Sequence, residues 1–167
     1  MAHCLHIPLF VEDFACFCKS SYIILPMHPI PTSTLWAGGF IYHPFRKKVL
    51  LHLRDHNTTY NPGKYAFFWG TAENGETARQ CCSREWEEEL GLLISPKKLS
   101  PLKEYILPSG VIRSSFYLTL PLDMADIEVM EWSWARWVWF DELELIPCAK
   151  QCYQDLMFFR EILSHQK

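Results

Sequence analysis

The chain has 167 residues, a length that fits one ordinary domain with a hydrophobic core and is too short for two large ones. Because 49% of the residues are hydrophobic and 15% are aromatic, the composition excludes an intrinsically disordered protein. A formal net charge of −3 without a long basic run argues against an extended nucleic-acid partner, whereas a small nucleotide bound through metal is compatible with it.

The seven cysteines are an odd number without the spacing of a disulfide framework, and Cys81 and Cys82 are adjacent. Reduced thiols in a cytoplasmic protein fit this pattern best. The N-terminus lacks the basic segment of a signal peptide, and no apolar run reaches the roughly 18 residues that span a bilayer, so we expect no membrane partner. No pattern indicates the oligomeric state, and a homodimer is left open.

The first predicted elements are an extension and a hairpin. Residues 1–34 hold three prolines between Pro26 and Pro31, which interrupt regular structure, and we predict an ordered extension outside the main domain. Trp36–Tyr42 and Lys48–Arg54 are predicted strands joined by a turn that keeps Pro44 outside the strand pairing. A loop of turn-forming residues follows, Asp55–Lys64.

A strand, a polar loop and a helix come next. Tyr65–Trp69 is a predicted aromatic strand that leads into Gly70. Thr77 and Gln80 have the spacing of a capping box, and Gly91 is a suitable C-cap, so we predict a helix that ends near Leu90.

The remaining elements are a second hairpin, Glu104–Leu107 with Val111–Leu120, a strand, Ala135–Phe140, and a final helix, Ala149–Leu163. Strands on both sides of a central helix, followed by a terminal helix, predict an α/β (α+β) single domain. Its mixed β-sheet would be packed between helices as an α/β/α layered structure.

The loop and helix after Gly70 carry an unusual set of carboxylates. They fit the pattern G-x5-E-x7-R-E-U-x-E-E-x-G-U, where U is a bulky apolar residue, with seven fixed positions matched without a gap. Chance matching at this composition has odds on the order of one in a million. The matching residues are Gly70, Glu76, Arg84, Glu85, Trp86, Glu88, Glu89, Gly91 and Leu92.

Three of these carboxylates, Glu85, Glu88 and Glu89, lie at positions i, i+3 and i+4 of the helix, so they share one face and repel each other. A solvated acidic face is the simpler explanation for Glu87, which we assign to it. For the other three, a hard divalent cation such as Mg²⁺, which takes oxygen ligands, would remove the repulsion.

On this motif the sequence resembles the Nudix hydrolase family, and the resemblance covers Trp36–Gln166, within a predicted domain of residues 35–167. It implies a Nudix-like fold and metal-dependent hydrolysis of a diphosphate linkage. The small-molecule substrate would be a nucleoside diphosphate derivative or a (d)NTP, and one product a monophosphate. It also implies Mg²⁺ as the cofactor, with Mn²⁺ as a substitute.

The resemblance further implies a role for each residue of the motif. Glu85 and Glu89 would be the principal metal ligands, Glu88 a further ligand or the base that orients water, and Glu76 an outer ligand or an anchor of the loop that contributes to substrate binding. Arg84 would hold the carboxylates, and Gly70 would offer its backbone carbonyl to the metal.

Outside the motif, Arg54 is a candidate phosphate contact or a surface arginine at a strand end, and Glu131 is a candidate carboxylate reaching the site from a distant loop. Trp69 stands where family members commonly have the first glycine of a pair. Two other functions stay open: removal of oxidised, 8-oxo-dGTP-like triphosphates, and a catalytically silent nucleotide-binding or sensing module.

Overall fold

The computed structural model of the chain describes residues 34–123, 127 and 134–165. These all belong to the compact unit Pro31–Lys167. Of the predicted extension only Thr34 is described, so its boundary at residue 34 stays a prediction. None of the described helices has the length and apolar character that crossing a membrane requires.

The described residues of the domain form seven strands and two α-helices. In chain order they are β1 Leu35–His43, β2 Lys48–Leu53, β3 Tyr65–Ala66, β4 Phe68–Thr71, α1 Ala78–Leu90, β5 Ser100–Ile106, β6 Ile112–Thr119, β7 Ala135–Trp139 and α2 Lys150–His165. Short 3₁₀ helices lie at Pro96–Lys98 and Phe140–Glu142.

Strand β1 is the centre of a single mixed sheet. It pairs in parallel with β6 over all but its last residue, from Leu35 opposite Ile112 to Tyr42 opposite Thr119. Its antiparallel partners are β4 over the first half of the strand and β2 over the second half. The sheet continues through β2 to β3 and β7, and through β6 to β5.

The predicted strand Tyr65–Trp69 is wrong as one element. The structure divides it at Phe67 into β3, which pairs with β2, and β4, which pairs with β1. The division follows from the two halves of β1 having different antiparallel neighbours. As a result the chain pairs first with β2, through β3, and then with β1, through β4. Strand β4 brings Gly70 close to α1.

The structure confirms the predicted capping residues at both ends of helix α1. The Thr77 hydroxyl accepts from the Gln80 amide, while the Gln80 side chain accepts from the Thr77 amide at 2.9 Å. At the other end Gly91 adopts φ 62°, a left-handed conformation that glycine takes without strain, and its amide donates to the Glu87 carbonyl at 3.0 Å.

Two hydrophobic cores lie on opposite faces of the sheet. Consecutive β1 residues alternate between them, with Ile41 in the core that contains Trp86 of α1, and Phe40 in the core that contains Phe159 of α2. The ring centres of Phe40 and Phe159 are 5.0 Å apart. This arrangement confirms the predicted sheet packed between helices.

His52 is a buried titratable residue of this fold. Its side chain is 1% exposed, stacks on Phe68, and donates through Nε2 to the Phe67 carbonyl at 2.8 Å. Burial, reinforced by the charge of Arg54, lowers the pKa of the imidazole to about 4. His52 is therefore neutral in the folded protein near neutral pH.

We expect His52 to make the protein less stable in mild acid. The unfolded imidazole titrates near pH 6.5 and the folded one near pH 4, so the unfolded chain binds the extra proton between these values. The free energy of unfolding should then fall by up to about 3 kcal/mol as the pH decreases through this window. Urea unfolding at pH 4 to 7 measures it.

The matched variant is His52→Gln, which keeps a side-chain donor for the Phe67 carbonyl and does not titrate. It should lose less stability than the wild type between pH 6.5 and 4. Parallel losses in the two proteins would show that carboxyl groups, and not His52, account for the acid sensitivity.

Candidate active site

Arg84 on helix α1 joins three carboxylates of the motif. Its Nε donates to Glu76 at 2.9 Å, and its Nη1 lies 2.9 Å from a Glu85 oxygen and 2.8 Å from a Glu88 oxygen. Its Nη2 donates to the Thr71 carbonyl at 3.0 Å. The planar guanidinium, with five donors, is the side chain that can meet all these acceptors together.

These contacts change the titration of both partners. The hydrogen bond from Arg84 lowers the pKa of Glu76, and the backbone amide of Glu73, 2.9 Å from its Oε2, adds to the effect. The same hydrogen bond, together with the charges of Glu85 and Glu88, raises the pKa of Arg84. Glu76 thus anchors the loop before α1 while Arg84 stays a cation.

Gly70 at the end of β4 faces the Glu85 carboxylate directly. A Cβ placed on Gly70 would overlap that carboxylate, so a larger residue would displace Glu85. The Gly70 carbonyl accepts from the Cys81 thiol at 3.7 Å, which shows that it is directed towards α1. The close approach explains why the motif needs glycine at this position.

Glu88 and Glu89 lie in different environments on the helix. Glu88 is about half exposed at 49%, whereas Glu89 is buried at 2% beside the core that contains Trp86 and Leu90. Glu87 is exposed, as its assignment to the solvated face predicts.

The donor set fits a hard divalent cation by its chemistry. Glu85, Glu88, Glu89 and the Gly70 carbonyl offer oxygen, and the absence of a Cβ at Gly70 lets the carboxylate and that backbone approach each other. Within the described ranges, no three His, Cys, Asp or Glu side chains are grouped around one point as ligands would be. Here Arg84 holds Glu85 and Glu88 instead.

Trp69 is accommodated by a glycine on the neighbouring strand. Gly38 of β1 pairs with Trp69 on one side and with Ser115 of β6 on the other. A Cβ on Gly38 would overlap the Phe68 carbonyl and crowd the Trp69 ring. The indole therefore lies over β1, where the guanidinium of Arg113 stacks on it at 4.0 Å from the ring centre.

Beside Gly70 and Thr71 a cavity of about 400 Å³ opens, which we call the side cavity. Among the described residues its lining includes three aromatic side chains, Trp36, Tyr60 and Trp69, and two arginines, Arg54 and Arg113. Helix α2 contributes Gln151 and Cys152. Its volume is in the range of small-molecule sites.

The structure places Arg54 at this cavity, and not only at a strand end. Its Nε donates to the Tyr60 carbonyl at 2.8 Å, which ties it to the loop between β2 and β3. Glu131, the other candidate from outside the motif, lies outside the described residues. The roles of both stay predictions.

Two residues of the cavity wall, Arg113 and Gln151, were not singled out from the sequence. Gln151 donates through Nε2 to the Tyr105 hydroxyl at 2.8 Å and to buried Asp155 at 3.3 Å. The signal for both was weak, since each is one of several polar residues in its element and belongs to no motif. Only the pairing of β6 with β1 brings Arg113 to Trp69.

The cysteines of α1 have structural surroundings. Cys81 and Cys82 are both free and fully buried. Burial first, and then the charges of Glu85 and Glu76, raise the pKa of Cys81 to about 11. A protonated, buried thiol is a poor nucleophile, in agreement with the predicted packing role.

Comparison with known proteins places the motif in a wider context. The family model described as NUDIX domain matches residues 35–157. A search of curated protein sequences finds no match. Three similar solved structures share the fold at 15% to 21% identity.

A MutT/nudix family protein from Enterococcus faecalis has a TM-score of 0.53 and 18% identity over 68% of this chain and 46% of that one. A Francisella tularensis bifunctional NMN adenylyltransferase/ADP ribose pyrophosphatase, complexed with AMP and a Mn ion, has a TM-score of 0.62 and 15% identity over 80% and 43%. The chain thus spans less than half the length of these two proteins.

The ORF135 protein from E. coli has a solution structure with a TM-score of 0.60 and 21% identity. The match covers 83% of this chain and 97% of that chain, so the two are similar over nearly a whole domain.

We expect Gly70→Ala to weaken both folding and metal binding. The added methyl group overlaps the Glu85 carboxylate, so the free energy of unfolding should fall by about 1–3 kcal/mol. Displacement of Glu85 should lower the affinity for Mn²⁺ by about 10- to 100-fold. Urea unfolding and calorimetric titration with Mn²⁺ measure the two effects.

Gly75→Ala is the matched control, since its Cβ would meet no atom within 4 Å. Its φ of 83° still makes alanine unfavourable, by about 1–2 kcal/mol, without moving a carboxylate. If both variants bind Mn²⁺ like the wild type, the contact between Gly70 and Glu85 has no part in metal binding.

Proposed function

The chain belongs to the Nudix family, and on that premise we propose that it is a metal-dependent pyrophosphohydrolase. Its substrate would be a nucleoside diphosphate derivative or a (d)NTP, cleaved at a diphosphate linkage with release of a monophosphate. The observation that carries the proposal is the Arg84 cluster, in which Glu76, Glu85 and Glu88 meet one guanidinium next to Gly70.

Mg²⁺, or Mn²⁺ as a substitute, would be held by Glu85, Glu89, Glu88 and the Gly70 carbonyl. Once bound, it would supply neutralisation of phosphate charge and a more acidic coordinated water. The half-buried to buried carboxylates give the site a negative potential that attracts such a cation.

The exposure and contacts of the other side chains suggest a role in the reaction for each of them. Glu88, about half exposed, would be either a further metal ligand or the base that orients the attacking water. Arg84 fixes the rotamers of Glu85 and Glu88, and Glu76 fixes the loop that joins Gly70 to α1. This preorganisation supports attack at phosphorus in a defined geometry.

The side cavity supports a nucleotide as the substrate. Trp36, Tyr60 and Trp69 offer aromatic faces on which a base can stack, and Arg54 offers donors for phosphate. The Francisella protein of the comparison was solved with AMP and a Mn ion, which is compatible with this substrate class.

Hydrolysis comes before the two alternatives because Trp69, which together with the extension of residues 1–34 suggested a silent module, is accommodated by the fold. Gly38 makes room for Trp69, and the carboxylates of the motif keep their places on α1. No described contact favours an oxidised base over an ordinary one.

Screening about twenty nucleotides with Mg²⁺ or Mn²⁺ and identifying the products by mass tests the reaction. We expect Glu89→Gln and Glu85→Gln to lower kcat by at least about 100-fold in the turnover of the best substrate. Glu87→Gln, an exposed carboxylate on the same helix, should keep wild-type activity. Turnover that survives Glu89→Gln unchanged would disprove this mechanism.

Arg84→Lys separates the charge of Arg84 from its geometry. A lysine keeps the positive charge, but its single ammonium cannot bridge Glu76, Glu85, Glu88 and the Thr71 carbonyl together. We expect kcat to fall by about 10- to 100-fold while KM changes less. A wild-type kcat in this variant would mean that the cluster does not position the carboxylates.

A further inference from the structure

The side cavity differs in charge from the carboxylate site beside it. Its described lining contains two arginines, Arg54 and Arg113, and no Asp or Glu. The carboxylate site begins at Gly70 and Thr71, which belong to the same lining and also contact Glu85 and Arg84. A substrate that reaches from one to the other therefore meets opposite charges.

Arg113 is a largely buried cation without an ion-pair partner among the described residues. The salt bridges of these residues do not include it. Its Nε is buried and has no hydrogen-bond partner there, and its guanidinium stacks on Trp69. Burial lowers its pKa, yet an arginine keeps its proton near neutral pH.

Asp155 is the acidic residue whose charge contributes most to keeping Arg113 protonated, although the two form no ion pair. The Asp155 carboxylate accepts from the Tyr105 hydroxyl and from Gln151, and Lys103 lies 3.8 Å from it. These contacts all involve Oδ1, while Oδ2 is buried without a hydrogen-bond partner among the described residues, and Arg113, unlike Asp155, lines the cavity.

Arg54 adds a second positive charge to the same cavity. Its Nε is used by the Tyr60 carbonyl, which leaves the two terminal nitrogens for other partners. The charge of Arg54 contributes to the lowered pKa of Arg113, so the two guanidinium groups repel each other. Two like charges on one cavity wall, of which Arg113 is largely buried, are unfavourable unless an anion lies between them.

We propose that Arg54 and Arg113 form an anion subsite for a phosphate group of the substrate that lies beyond the cleaved diphosphate linkage. The inference rests on the proposed function, because it concerns the substrate of the same reaction. A phosphate carries up to two negative charges and accepts the paired donors of a guanidinium. The aromatic side chains of the same cavity offer faces on which the base of the substrate can stack.

Two positions in a substrate could supply this phosphate: the end of a triphosphate chain, or a phosphate monoester on the ribose. Both present the same chemistry to the arginines.

Binding to the full-length protein without metal tests the subsite independently of turnover. The probes are adenosine, AMP and inorganic phosphate in calorimetric titrations. AMP should bind at least about 10-fold more tightly than adenosine, and Arg113→Met should remove this difference. Arg160→Met, which removes an exposed arginine paired with Asp141, is the matched control and should bind AMP like the wild type.

Equal affinities for adenosine and AMP, or an equal loss of both in Arg113→Met, would overturn the subsite. The melting temperature separates binding from folding: loss of an unpaired buried charge should leave it unchanged or raise it, whereas a purely structural cation would lower it. If Arg113→Met does not fold, Arg54→Met should show the same selective loss of AMP affinity.

Turnover then identifies the source of the phosphate. One arm compares a nucleoside triphosphate with the corresponding diphosphate, and the other compares a nucleoside diphosphate derivative with and without a ribose 3′-phosphate. Arg113→Met should raise KM about 10-fold or more only for the member with the additional phosphate. Turnover without any such preference overturns the subsite alone, whereas selective AMP binding without turnover overturns the proposed reaction alone.

Discussion

The ion pairs of Arg84 are the interaction on which the arrangement of the site depends. Glu76, Glu85 and Glu88 would repel one another if they were brought together without a cation. One guanidinium contacts all three and also the Thr71 carbonyl at the end of β4, so it links helix, loop and sheet. The carboxylates consequently have fixed positions in the protein without metal.

The sheet supplies the other half of this arrangement. The antiparallel partner of β1 is β4 in its first half and β2 in its second half. The chain after Phe67 therefore pairs with β1 and ends next to α1. Gly70 then approaches Glu85 closely enough that no side chain fits between them. Helix α1 is held there by Trp86 and Leu90 in the core, so a face with carboxylates and a packing face share one helix.

Features with a local cause could be predicted from the sequence. The ends of α1 follow from Thr77, Gln80 and Gly91, and the carboxylate set follows from its spacing along one helix. The division at Phe67 could not be predicted, because a strand's partners depend on contacts distant in sequence. Arg113 was missed for the same reason, as its meeting with Trp69 requires β4, β1 and β6 to lie side by side.

Strand alternation explains how opposite charges come to lie side by side. Trp69 and Gly70 are consecutive, so their Cβ directions point to opposite faces, Trp69 towards the core with α2 and Gly70 towards α1. The glycine at position 38 lets the indole reach Arg113, while the glycine at position 70 lets Glu85 reach the strand. Because the paired strands β1 and β4 have glycine at these two positions, the side cavity with its arginines and the carboxylate site lie next to each other at the end of β4.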